Sequence, residues 1–177
     1  MDPGTRRFGW GIVAKAGMRI THRAHGVIRL DEKASIAERL VVLERELVQI
    51  VALYQPNSAA VESLFFGLDA QATAKLAHAR AVALLVCSRS GLQIGEYPPS
   101  RVKAAIAGGG RADKAQVAKM IMALLKLKET PEVDASDALA IAMTHLQRSP
   151  LADLAKKAPK PRSSGARASL VRPTRLT

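Results

Sequence analysis

Four carboxylates, Asp2, Glu62, Asp134 and Asp137, stand where this chain could do chemistry. Asp2 opens an Asp-Pro-Gly-Thr turn, Glu62 follows the apolar stretch Ala59-Ala60-Val61, and Asp134 and Asp137 head an apolar segment running to Met143. Clustered carboxylate oxygens grip hard divalent cations. Cations held in this way activate water against a phosphodiester. The rest of the chain is basic, with 27 Lys and Arg against 15 Asp and Glu, a net charge of +12 and a pI near 10.5. A carboxylate cluster on a basic protein points to hard cations facing a polyanion, nucleic acid before anionic lipid. The plainer account is a solvated basic surface, and the basic charge of the folded part argues against it.

Each carboxylate also has an ordinary structural explanation. Asp134 and Asp137 lie three apart, so on a helix both point to one face. Asp at a helix start equally caps free N–H groups and complements the dipole. Asp2 suits a turn. Glu62 is the exception, because a carboxylate directly after a buried apolar strand is costly unless it is paired or bound to metal.

The elements that must carry these residues read as follows. Phe8 to Ala14 and Arg19 to Leu30 form an antiparallel hairpin. Ser35 and Glu38 make a capping box, followed by Leu40, Leu43, Leu47, Ile50 and Val51 at helical spacing, up to Pro56. Ser58 to Glu62 is a short buried strand, Asp69 to Arg89 an Ala-rich helix, and Leu92 to Tyr97 another strand. A short helix from Pro98-Pro99-Ser100 stops at Gly108-Gly109-Gly110. Helices over Lys114–Leu127 and Asp134–Gln147 follow. Strands alternating with helices predict an α/β layered domain with a mixed sheet. The domain spans residues 1–149. Residues 150–177 are poor in apolar side chains and read as a basic, disordered tail.

Other function classes find less support. No apolar run is long enough for a membrane span, and the first residues lack a signal-peptide pattern, so a cytoplasmic location is expected. Cys87 sits in an apolar stretch and reads as a small core residue. The glycine run at 108–110 lacks the Lys-Ser or Lys-Thr of a phosphate loop. His22, His25, His78 and His145 show no metal-ligand spacing and receive no catalytic role.

Seven motifs occur in order: Asp2-Pro-Gly-Thr, Gly9-Trp-Gly11, Val61-Glu62-Ser-Leu-Phe65-Phe66, Lys75-Leu-Ala-His-Ala-Arg80, Tyr97-Pro-Pro-Ser-Arg-Val-Lys103, Gly110-Arg-Ala-Asp-Lys114-Ala-Gln-Val117 and Asp134-Ala-Ser-Asp137-Ala-Leu-Ala-Ile-Ala. Each is weak alone. Together, from Asp2 to about Gln147, they resemble the RuvC family of bacterial Holliday-junction resolvases. The resemblance implies a ribonuclease-H-like fold, a five-stranded mixed sheet flanked by helices. It implies a homodimer that nicks two strands of like polarity in a four-way DNA junction, leaving 5′-phosphate and 3′-hydroxyl ends. It implies two magnesium ions, with manganese as a substitute, held by Asp2, Glu62, Asp134 and Asp137, the last either a ligand or a base for water. It implies RuvA and RuvB as working partners. Phe65 matches a base-stacking position, and Lys103 and Lys114 match phosphate-contacting positions. Arg80 is read either as a further phosphate contact or as a residue of the dimer face. The Ala-rich face of residues 70 to 86 is the candidate interface.

The sequence departs from the family at its start, where only Met1 precedes Asp2 and the first apolar strand is largely missing. An upstream start is the expected explanation. The competing expectation is a junction-binding protein with impaired cleavage. Leu68-Asp69 and Ala81 are smaller departures, and Asp69 places a negative charge near the expected DNA path.

Overall fold

The computed structural model describes residues 1–63, 70–108 and 113–148. The expectations for Phe65, Phe66, Leu68, Asp69, Gly109, Gly110 and the tail lie outside these residues.

Strands β1 (Arg7–Ala16) and β2 (Arg19–Arg29) pair antiparallel around Gly17. β1 runs longer than the expected Phe8–Ala14, because ladder pairing carries its polar ends, and β2 matches the expected strand to within one residue. Helix α1 (Ile36–Tyr54) begins at the expected capping box. The Ser35 hydroxyl accepts the Glu38 N–H at 3.3 Å, and the Glu38 carboxylate accepts the Ser35 N–H at 2.8 Å. Two otherwise unpaired amide donors are satisfied in this way. Strand β3 (Ser58–Glu62) is followed by α2 (Ala70–Arg89), and β4 (Gln93–Tyr97) returns parallel to β3. This β3–α2–β4 unit needs a helical crossover because parallel strands cannot be joined by a tight turn. Three helices complete the described chain: α3 (Pro99–Ala107), α4 (Lys114–Leu125) and α5 (Val133–Arg148).

Four strands form two ladders among the described residues, β1–β2 and β3–β4. Met1 and Asp2 lie between them. Asp2 exchanges backbone hydrogen bonds with Gly9 at 2.9 and 3.0 Å. The Met1 nitrogen donates to the Ala60 carbonyl at 2.7 Å, and the Glu62 N–H donates to the Met1 carbonyl at 3.1 Å. This two-residue stub joins β1 to β3. Beyond it, a groove of about 570 Å³ runs past Trp10–Lys15 of β1 and Ser58–Ala60 of β3.

Two apolar clusters hold the layers together. Phe8, Ile28 and Leu30 of the hairpin side pack with Leu43 and Leu47 of α1 and Ala79, Ala83 and Val86 of α2. The small alanines let α2 approach closely, so an intramolecular contact accounts for part of the Ala-rich pattern expected at a dimer face. Leu76 and Leu85 of the same helix remain exposed. The second cluster joins Val102 and Ile106 of α3, Val117 and Ile121 of α4, and Leu139, Ala140, Ile141 and Met143 of α5. Cys87 is buried and its thiol is pushed up to about 11 by that burial, as an inert core residue requires.

Helix α5 lies directly on β1, and two glycines make the approach possible. A Cβ on Gly9 would stand 1.9 Å from the backbone oxygen of Asp134, and one on Gly11 2.7 Å from the side chain of Leu139. Gly9 is also the ladder partner of Asp2. The motif Gly9-Trp-Gly11 therefore brings the start of α5 to the residue that carries the first carboxylate.

Candidate active site

Five of the residues singled out in the sequence converge. Asp2 comes from the stub, Glu62 from the end of β3, Lys103 from α3, Lys114 from the first turn of α4 and Asp137 from the first turns of α5. They line one cavity of about 100 Å³ with Pro99, Val102, Val117, Ala140 and Ile141. The apolar members lower the local dielectric, so the charges interact more strongly than they would in water.

The carboxylates disturb one another. The Asp2 carboxyl is pushed up to about 7, first by burial and then by the charges of Glu62 and Asp137. Glu62 is also raised, by burial first and by Asp137, while its hydrogen bond to Asp2 works in the opposite direction. Burial and like charges held together in a half-dry site both favour the protonated form in this way. Lys114 Nζ lies 3.1 Å from Asp137 Oδ2, and that hydrogen bond and charge raise the lysine's pKa.

Asp134 stands apart from this cavity's lining. Its Oδ2 lies 2.7 Å from Nε of Arg7. The same guanidinium reaches Glu132 at 2.6 Å, and Arg29 reaches Glu132 at 2.5 Å. Arg80 lies behind the site. Its Nε donates to the backbone carbonyl of Glu62 at 3.2 Å, and its Nη2 pairs with Glu96. With a side chain only 16% exposed, Arg80 braces the end of β3 from beneath.

Carboxylate oxygens suit hard cations, and Asp2, Glu62 and Asp137 face one cavity, so the donor set fits divalent ions of the magnesium type. Lys114 pairs with Asp137, and Arg7 with Asp134.

Some of this was invisible in the sequence. Arg7, Arg29 and Glu132 carried no signal, since their ion pairs link β1, β2 and the loop before α5. His145 is buried, hydrogen-bonded to the Tyr97 hydroxyl at 2.9 Å and to Ser58 Oγ at 3.0 Å. It ties α5 to β3 and β4.

The fold and the site together define an α/β protein of the ribonuclease-H-like class. A solved structure of Thermus thermophilus RuvC in complex with Holliday junction substrate superposes with a TM-score of 0.77 at 32% identity, covering 82% of this chain and 89% of that one. A second Thermus thermophilus RuvC structure gives 0.74 at 32% identity, with 82% and 90% covered. Residues 1–145 match the family model described as crossover junction endodeoxyribonuclease RuvC, and this chain belongs to that family. The crossover junction endodeoxyribonuclease RuvC of Sorangium cellulosum is 52% identical over 164 residues, 92% of each chain. That of Caulobacter vibrioides is 48% identical over 145 residues, 82% of this chain and 86% of its own. No helix among the described residues is long and apolar enough to cross a membrane.

Proposed function

We propose that this chain is a structure-specific endonuclease that resolves four-way DNA junctions as a symmetric homodimer. The observation that carries the reading is the convergence of Asp2, Glu62 and Asp137 with Lys103 and Lys114 in one cavity of a basic protein. The family membership and the junction-bound relative give that cavity its substrate.

The residues divide the work. Asp2, Glu62, Asp134 and Asp137 would hold two magnesium ions, or manganese in their place, which supply Lewis acidity toward water and offset charge on the leaving 3′ oxygen. To serve as ligands, Asp2 would have to be deprotonated and Asp134 would have to leave its Arg7 partner. Asp137, beside Lys114, serves as a ligand or as the base for the attacking water. Lys103 and Lys114 contact the phosphate and orient it for in-line attack. The expected products carry 5′-phosphate and 3′-hydroxyl ends. Arg80 keeps Glu62 at its height on β3. Phe65, just past Glu62 in the chain, is assigned to stacking on an opened base. The basic tail adds nonspecific phosphate contacts, RuvA and RuvB are the working partners, and the cytoplasm is the setting. A two-fold dimer suits a four-way junction because each presents two equivalent sites.

A second reading, junction binding with impaired cleavage, is favoured by one observation. Asp134 is paired with Arg7 at 2.7 Å, apart from the cavity lined by the other three carboxylates. Cleavage of a synthetic four-way junction with magnesium, by this chain and by Glu62→Gln, separates the two. Paired symmetric nicks from the unaltered chain alone, with binding kept by the variant, support the resolvase. Tight binding without nicks from either supports the binding module.

A further inference from the structure

The hairpin carries a pair of imidazoles that junction cleavage does not use. In a regular strand, residues three apart face opposite sides. The β1–β2 register slips between Ile12 and Val13: Ile12 pairs with Ala24 and Val13 with His22, leaving Arg23 without a partner. This bulge re-aims the side chains around it. His22 and His25 come to the same side, with His22 Nε2 at 2.8 Å from His25 Nδ1. Their ring centroids are 4.9 Å apart and the planes are tilted by 55°.

The pair opens onto a wide cavity of about 1130 Å³, also lined by Arg19, Lys126, Glu129 and Thr130. This cavity shares no lining residue with the carboxylate cavity. Two ring nitrogens at 2.8 Å make one hydrogen bond. The same separation suits two adjacent ligands of one metal ion. Nitrogens about 2.0–2.1 Å from an ion and at right angles to each other lie about 2.9 Å apart. His22 is pushed toward its neutral, ligating form by burial and by His25. Glu129, exposed on the same cavity wall, offers an oxygen donor, and water can complete the shell.

We propose that His22 and His25 form a chelating site for a borderline transition-metal ion with right-angle coordination, of the nickel and copper class, separate from the carboxylate cavity. Imidazole suits these ions and carboxylate-only sets suit magnesium, so the two sites sort cations by ligand softness.

Calorimetric titration of the full chain with Ni²⁺, in saturating Mg²⁺ at neutral pH, tests this. One site with a dissociation constant of about 10 μM is expected, weakened at least about tenfold by either His22→Gln or His25→Gln and unchanged by Glu62→Gln. In the unaltered chain the ring-proton signals of His22 and His25 broaden with Ni²⁺, while those of His78 and His145 do not. That spectrum decides the matter even if a histidine variant fails to fold. Unchanged ring signals, or nickel binding equal in folded histidine variants and the unaltered chain, would mean a hydrogen-bonded pair only. Loss of binding in Glu62→Gln alone would place nickel among the carboxylates and overturn the proposal.

Discussion

The guanidinium of Arg7 holds Asp134 through Nε at 2.7 Å and so keeps that carboxylate out of the cavity lined by Asp2, Glu62 and Asp137. Cation loading must therefore compete with an ion pair. Both side chains are partly exposed, at 49% and 28%, so the pair is worth at most about 1 kcal/mol. Arg7→Gln is expected to bind Mn²⁺ up to about fivefold more tightly. Titration followed by the electron-spin signal of free Mn²⁺ reads this directly. An equal or weaker affinity would mean that Arg7 orients Asp134 for the cation rather than withholding it.

Proton and cation should compete at Asp2. Its folded pKa of about 7 lies above its ordinary 3.8, so the folded state binds the proton more strongly than the unfolded chain. The stability contributed by that proton is present at low pH and is lost as pH rises from about 4 to about 7. Urea unfolding without divalent ions should show this decline, and Asp2→Asn should flatten it. Saturating Mg²⁺ at pH 8 should restore the lost stability, because a ligand that binds only the folded state stabilises it. A decline that Asp2→Asn leaves intact would assign it to another group.

Gly9→Ala should damage the fold and the site together. The added Cβ would meet the Asp134 carbonyl oxygen at 1.9 Å, and backbone must move to relieve the clash. Overpacking of this kind costs about 1–3 kcal/mol. Chemical denaturation should show that loss, and Mn²⁺ affinity should fall as α5 lifts from β1. A fully stable variant with normal metal affinity would contradict the close packing.

Lys103 and Arg80, both candidates for phosphate contact in the sequence, should behave differently on DNA. Lys103 lines the carboxylate cavity, whereas Arg80 is engaged by Glu96 and the Glu62 carbonyl. Lys103→Ala should reduce the slope of log affinity against log salt by about 0.9, one phosphate's worth. Arg80→Met should leave that slope unchanged while lowering stability and Mn²⁺ affinity. A slope reduced by Arg80→Met would restore it as a phosphate contact.

Much of the architecture was legible in the residues because its causes are local. The Ser35 and Glu38 cap, the hairpin around Gly17, the buried strand before Glu62 and the helix headed by Asp134 and Asp137 all follow from side-chain chemistry within a few positions. The four carboxylates could be proposed from type, place and motif order. What they do with one another could not. The coupling of Asp2 and Glu62 spans 60 residues of chain and follows from the backbone bonds of Met1 to β3, and the Arg7–Asp134 pair spans 127 and depends on Gly9 letting α5 settle on β1. Arg80 was ambiguous until the brace to Glu62 appeared. His22 and His25 had no metal spacing as a regular strand, and only a one-residue register slip put them side by side. Which groups carry charge, and where helices and strands begin, depends on neighbours along the chain. Tertiary structure alone decided which charges meet, because pairing depends on through-space distance and burial set by packing between elements remote in sequence.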